Sequence, residues 1–261
     1  MRNRSFLCLL AVGLGGLGAG TAPATRAATI APVITINGSA LDLNDLGCVS
    51  SGDGIVSCEG TSLTGSGYEL SSWSFEFDPD PTLSGSFTLT NLSKSTLGFT
   101  VSASLSILPV GPSLSATGSV GAGTLTDLNA NGATLTDSGL SIYTTEIDGV
   151  SVHTLLDRPQ SYTAPADPLG APSSVTIPME SFGPDLLAQA ASSSITASFA
   201  FMLTAGDSVS FPFSFDVEPV PEPATLLLLG GGIAGLALSG RTKHPLRSPY
   251  EPAEEDAPLL E

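Results

Sequence analysis

Ile195-Thr-Ala-Ser-Phe-Ala-Phe-Met-Leu203, a turn at Thr204-Ala-Gly-Asp207, and Ser208-Val-Ser-Phe-Pro-Phe-Ser-Phe-Asp-Val217 form the stretch that sets the architecture. In the first run Ile195, Ala197, Phe199, Phe201 and Leu203 occupy every second position. In the second, Val209, Phe211, Phe213, Phe215 and Val217 do the same, with Ser210, Pro212, Ser214 and Asp216 between them. A period of two sends one set of side chains to a core and the other to solvent. Proline gives no N–H to a ladder, so Pro212 predicts an edge strand for the second run.

The same pattern recurs upstream. Trp73, Phe75 and Phe77 alternate with Ser74 and Glu76, Phe87 and Leu89 with Ser and Thr, and Phe99, Val101, Ala103, Leu105 and Ile107 hold period two over nine positions. Turn residues separate the runs at Asp78-Pro-Asp-Pro81, Asn131-Gly132 and Gly206-Asp207. Many half-buried strands at short spacing indicate an all-β fold, an antiparallel β-sandwich or jelly roll. Six prolines between Pro159 and Pro184 (159, 165, 168, 172, 178, 184) predict a long extended excursion there, and Asp185–Ala191 reads as a short helix.

Charge narrows the function classes. Between Ala28 and Pro219 the basic residues are Lys94 and Arg158, against nineteen Asp and Glu. So acidic a surface repels phosphate backbones and argues against nucleic-acid binding. It suits a secreted protein, and one able to gather divalent cations. Cys48 and Cys58 form an even pair ten residues apart, which in an oxidising compartment predicts a disulfide around Ser50–Gly54.

Both ends of the 261-residue chain carry targeting features. Arg2 and Arg4 precede an apolar run at Phe6–Leu17, and small residues then allow cleavage after Ala27 or after Ala24, so residues 1–27 read as a signal peptide. Cys8 lies inside the apolar run without a lipobox before it. Residues 28–219 are then the exported β domain, long enough to bury a core. At the other end, Pro221-Glu222-Pro223 is followed by seventeen uncharged residues, Ala224–Gly240, and by the basic cluster Arg241, Lys243 and Arg247. As a helix that segment spans roughly 25 Å, slightly under a hydrocarbon core, and the cluster places its C-terminal end in the cytoplasm. Residues 248–261 add an acidic, disordered cytoplasmic tail.

Tripeptide, membrane-length segment and basic cluster at 220–247 together resemble the PEP-CTERM sorting signal of bacterial exported proteins. The resemblance implies an exosortase-type processing enzyme as partner, cleavage near Pro221–Pro223, a membrane-anchored intermediate, and delivery to the cell surface or extracellular matrix in association with polysaccharide. The acidic tail departs from the usual pattern, in which the chain stops soon after the basic cluster. A stable single-pass anchor is the alternative.

Chemistry finds few footholds. Gly13–Gly18 and Gly230–Gly235 both satisfy G-x-G-x-x-G, but neither opens a helix after a strand, as dinucleotide binding requires. Asp127-Leu-Asn-Ala-Asn-Gly132 matches the first half of a calcium loop, with Asp127, Asn129 and Asn131 as oxygen ligands and Ser138 where a bidentate Glu belongs. The preferred reading there is a hairpin closed by Asn131-Gly132. His153, on a strand, lacks the setting of a general base, so catalytic and cofactor-binding residues are expected to be absent and the chain is expected not to be an enzyme. Trp73, Tyr68, Tyr143 and Tyr162 are the candidate stacking faces of an alternative carbohydrate-binding module. A polysaccharide hydrolase needs only two suitably spaced carboxylates, and nothing selects a pair.

Overall fold

The computed structural model describes residues 31–111, 113–187, 190–220 and position 233; the signal peptide, the sorting motif, nearly all of the segment 224–240, the basic cluster and the acidic tail lie outside them. The described residues begin with the hairpin β1 (Pro32–Ile36) and β2 (Ser39–Ala40). Short strands β3 (Cys48–Ser50), β4 (Val56–Gly60) and β5 (Leu63–Gly65) lead to the long β6 (Tyr68–Asp78), β7 (Thr82–Asn91) and β8 (Leu97–Ser106). Then come β9 (Leu114–Val120), β10 (Gly123–Asp127), β11 (Ala133–Asp137), β12 (Ser141–Ile147) and β13 (Val150–Asp157). After β14 (Ser161–Ala164), β15 (Ser173–Ile177) and β16 (Glu180–Leu187), the last strands among the described residues are β17 (Ser194–Leu203) and β18 (Ser208–Pro219).

The strands form two antiparallel sheets. The eight-stranded sheet runs β13-β12-β17-β8-β1-β2, with β11 also on β17 and β14 on β11. The ten-stranded sheet runs β15-β10-β18-β7-β6-β4-β3, with β5 on β6, β9 on β18 and β16 on β9. Each sheet is thus centred on one half of the stretch 195–217. β17 pairs β8 along its whole length and meets β12 and then β11 on its other side. β18 pairs β7 and meets β10 and then β9.

Their alternating apolar faces build one core. Phe199 of β17 stands 5.0 Å from Phe87 and 5.0 Å from Phe211, ring centre to ring centre, both from the other sheet. Phe201 meets Phe211 at 5.6 Å. Such aromatic pairs add roughly 0.5–1.5 kcal/mol each beyond their buried area. Glycines make room for them: Gly60 lies opposite Trp73, Gly65 opposite Tyr68, Gly85 opposite Phe75, and Gly118 opposite Phe182. A Cβ at any of these four would fall within 3.0 Å of the facing ring. The rings cover bare backbone that would otherwise weaken a strand.

Several expectations change. Pro212 sits in a central strand, because β18 changes partner at that residue: β10 ends its pairing at Ser210 and β9 begins at Phe213. The missing N–H falls at this junction, and the Pro212 carbonyl accepts the Gly121 N–H at 2.7 Å. The proline-rich excursion holds three strands, β14, β15 and β16, which extend open edges of β11, β10 and β9. Its prolines fall between strands, except Pro184, which occupies the irregularity between Phe182 and Asp185. Asp185–Leu187 are strand rather than helix, since β9 offers Ala116, Ser115 and Leu114 as ladder partners. The connection 128–132 is no hairpin: β10 belongs to the ten-stranded sheet and β11 to the other. A type I′ turn needs positive φ at both central residues, whereas here the positive values are at Ala130 (61°) and Gly132 (93°).

Candidate functional site

Buried polar side chains gather where three crossovers between the sheets, 92–96, 128–132 and 204–207, pack together. Thr90, Asn91, Asp127, Asp207 and Ser208 are all buried at this end. Asn91, wholly buried, donates its amide to the carbonyls of Ser95, Leu203 and Thr204, and so ties the first crossover to the third. Asn129 does the same for the second, donating to the Ala205 carbonyl at 2.9 Å.

The register carries two carboxylates into this cluster. The last ladder pair of β10 and β18 is Thr126 with Ser208. Continuing that register one step brings Asp127 level with Asp207, and the two carboxyls interact. Both keep the parity of Leu125 and Val209, whose side chains point into the core. Asp127 and Asp207 are accordingly 0% exposed. Asp127 Oδ1 accepts the Asn129 N–H at 3.2 Å and its Oδ2 accepts the Gly132 N–H at 2.7 Å, which curls the chain over the end of the sheets. Asp207 Oδ2 accepts the Thr204 hydroxyl, while its buried Oδ1 has no hydrogen-bond partner of good geometry. Burial pushes the Asp207 carboxyl above its ordinary range; the Thr204 hydroxyl and the Leu128 N–H oppose this, while Asp127 adds to it through its charge and a side-chain hydrogen bond. Like charges facing each other across a ladder destabilise it, more so out of water.

Of the sequence-derived metal ligands, Asp127 and Asn129 therefore lie at this cluster. Asn131 is exposed and contributes its backbone N–H to Asn129 Oδ1. Asp207 was hidden from the loop motif, eighty residues away in sequence, although its position two before Val209 places it inward. Among the described residues no three His, Cys, Asp or Glu converge.

The remaining candidates separate. Cys48 and Cys58 are directly paired across β3 and β4 and form a disulfide. His153 stacks on Phe182 at 4.0 Å between ring centres, with Nε2 3.4 Å from Asp185 Oδ2 and Nδ1 3.0 Å from the Thr154 carbonyl oxygen. These contacts join β13 of one sheet to β16 of the other. Tyr68, Trp73 and Tyr143 are buried and unavailable as stacking faces: Trp73 Nε1 donates to the Leu46 carbonyl and Tyr143 Oη to the Ser214 carbonyl. Tyr162 packs against the core edge with its hydroxyl buried.

Among the described residues no helix is long and apolar enough to cross a membrane. Comparison with known protein families finds one match, the PEP-CTERM protein-sorting motif at residues 219–241. The match begins at the last residue of β18. It indicates an exported protein sorted by an exosortase through a membrane-anchored intermediate. No curated protein and no solved structure matches the chain.

Proposed function

We propose that this chain is a non-enzymatic β-sandwich exported to the cell surface or extracellular matrix, where it acts as a structural or adhesive component alongside extracellular polysaccharide. The sorting motif at 219–241 is the observation that carries the reading. The sandwich assignment rests on the aromatic contacts between sheets, with Phe199 against Phe87 and Phe211. A net acidic surface and a disulfide suit an oxidising, extracytoplasmic setting.

The motif follows the central strand of the ten-stranded sheet with Val220 as sole spacer before Pro221. Until the motif is cleaved, the domain is tethered close to the membrane. β18 runs twelve residues, roughly 40 Å at about 3.3 Å each, which separates the crossover end at Ser208 from the tethered end by the length of the strand. Release then requires cutting the chain beside the last strand, where Val220 still donates its N–H to the Ser113 carbonyl.

Mass spectrometry of the mature termini, after fractionation of cells and medium, tests the proposal. A C-terminus near Pro221–Pro223 in the surface or medium fraction is the expected result. An intact Glu261 confined to the membrane fraction means a permanent anchor and overturns matrix delivery.

A further inference from the structure

Asp127 and Asp207 pose a compensation problem that the rest of the fold does not solve. They lie level with each other one step beyond the Thr126–Ser208 pair, both wholly buried. Among the described residues the ion pairs are His153–Asp185 and Arg158–Asp137, and neither involves either residue. Two backbone N–H groups serve Asp127; the Thr204 hydroxyl and the Leu128 N–H lie against the Asp207 carboxyl, and its buried Oδ1 has no hydrogen-bond partner of good geometry. Uncompensated, each buried carboxylate oxygen costs on the order of kilocalories, and carboxylates retained inside proteins are paired, protonated or bound to metal.

Ligand chemistry selects the partner. The groups around the pair are all oxygens: the two carboxylates, the Thr204 hydroxyl that donates to Asp207, the Asn129 side-chain carbonyl that accepts the Asn131 N–H, and crossover carbonyls that already accept amide N–H groups and keep a second lone pair. Such a set suits a hard cation and not a zinc or copper ion, which favour imidazole or thiolate. Irregular loops contributing one or two carboxylates with neutral oxygens match calcium, whose coordination number and angles are permissive, better than magnesium with its strict octahedron. We propose that a calcium ion binds between the carboxylates of Asp127 and Asp207, its other positions filled by neutral oxygens of the crossovers and by water.

The ion would clamp 128–132 to 204–207, and through Asn91 also 92–96. It acts at the end of the domain where the central strands β17 and β18 exchange sheets. Occupancy is then expected at the millimolar calcium of extracellular fluids, where such modules commonly bind with dissociation constants of about 10⁻⁴–10⁻³ M. A calcium-depleted compartment would leave the domain less stable before export. A proton shared between the carboxylates is the competing compensation.

The test uses the full chain in detergent, stripped with EDTA and titrated with calcium at ionic strength held constant by sodium chloride. The expected result is one calcium per chain by calorimetry and a Tm increase of several degrees at 2 mM calcium. Both effects should vanish in Asp207→Asn and persist in Asn131→Ala, whose side chain stands outside the proposed ligand set. If Asp207→Asn fails to fold, Asp127→Asn and the wild-type titration decide. A wild-type Tm that ignores calcium overturns the site in favour of the shared proton, and a response that survives both Asp variants places the ion elsewhere on the acidic surface.

Discussion

Tyr143 of the eight-stranded sheet donates its hydroxyl to the Ser214 carbonyl of the ten-stranded sheet, across 3.0 Å of otherwise apolar interior. Its ring lies 4.9 Å from Phe199 and 6.4 Å from Phe213. Burial pushes the phenol far above its ordinary range, so it remains a neutral donor at every working pH. This polar contact links β12 of one sheet to β18 of the other.

Tyr143→Phe keeps the ring and deletes the bond. Stability should fall by about 0.5–1.5 kcal/mol, the net worth of one hydrogen bond. Urea unfolding would show a lower midpoint with an unchanged slope, since the buried surface is nearly the same. A midpoint equal to wild type would mean the hydroxyl merely tolerates its position.

Gly85 separates sterics from propensity. A Cβ there would lie 2.4 Å from the Ser74 carbonyl oxygen and 3.0 Å from Phe75, and backbone cannot step aside as a side chain can. Gly85→Ala should lose roughly 1–3 kcal/mol through overpacking. Gly139→Ala, with nothing near its Cβ, serves as control and should change stability by less than about 0.5 kcal/mol. Equal effects from both substitutions would refute the ring-over-glycine account.

How much of this could be read beforehand depends on distance along the chain. Alternation is local, so the inward faces of 73–77, 99–107 and 195–217 were legible from side-chain order alone. Pairing is not local. Asn131-Gly132 serves a hairpin or a sheet crossover equally well, and what decides is that β10 finds β18 and β15 while β11 finds β17 and β14. Pro212 is tolerable in a central strand only because two separate strands meet beside it, which no single segment announces. Asp127 and Asp207 are a different case: parity with Leu125 and Val209 turns them inward, but charge argues for the surface. Asn37-Gly38 and Asp148-Gly149, absent from the turns expected from sequence, adopt positive φ at both residues, the conformation of a two-residue hairpin loop.

The disulfide offers a prediction independent of the core. It joins directly opposed residues across a separation of ten, next to β6 at the sheet edge. Reduction, or Cys48→Ser with Cys58→Ser, should lower stability by about 2–3 kcal/mol in the chain-entropy model. The loss should be similar in both, as measured by denaturant unfolding with and without reductant. A double serine variant as stable as the oxidised protein would show that β3 and β4 are held by their ladder alone.

Asp148 supplies the acid dependence. It sits at the β12–β13 turn with φ of 53° and reaches across to the segment before β17. Its carboxylate accepts the backbone N–H groups of Ser192, Ser193 and Ser194 and the hydroxyls of Ser192 and Ser193. Partial burial acts to raise its pKa, but the bonds from Ser192, Ser194 and Ser193 outweigh it and hold the carboxyl well below the usual 3.8. A depressed folded pKa means the stabilisation is complete above the unfolded value and fades as pH falls from there through the folded one. Asp148→Asn keeps the left-handed turn, which asparagine tolerates, while removing the charge. At pH 7 it should cost about 1 kcal/mol after allowing for solvent screening at this partly exposed turn. The gap from wild type should hold down to about pH 4 and narrow steadily below it, as the carboxylate of the unfolded chain takes up a proton that the native one still refuses. Unfolding midpoints measured from pH 7 to pH 2 would settle the point, because a gap that stays constant across that range would assign the effect to packing and not to the charged acceptor.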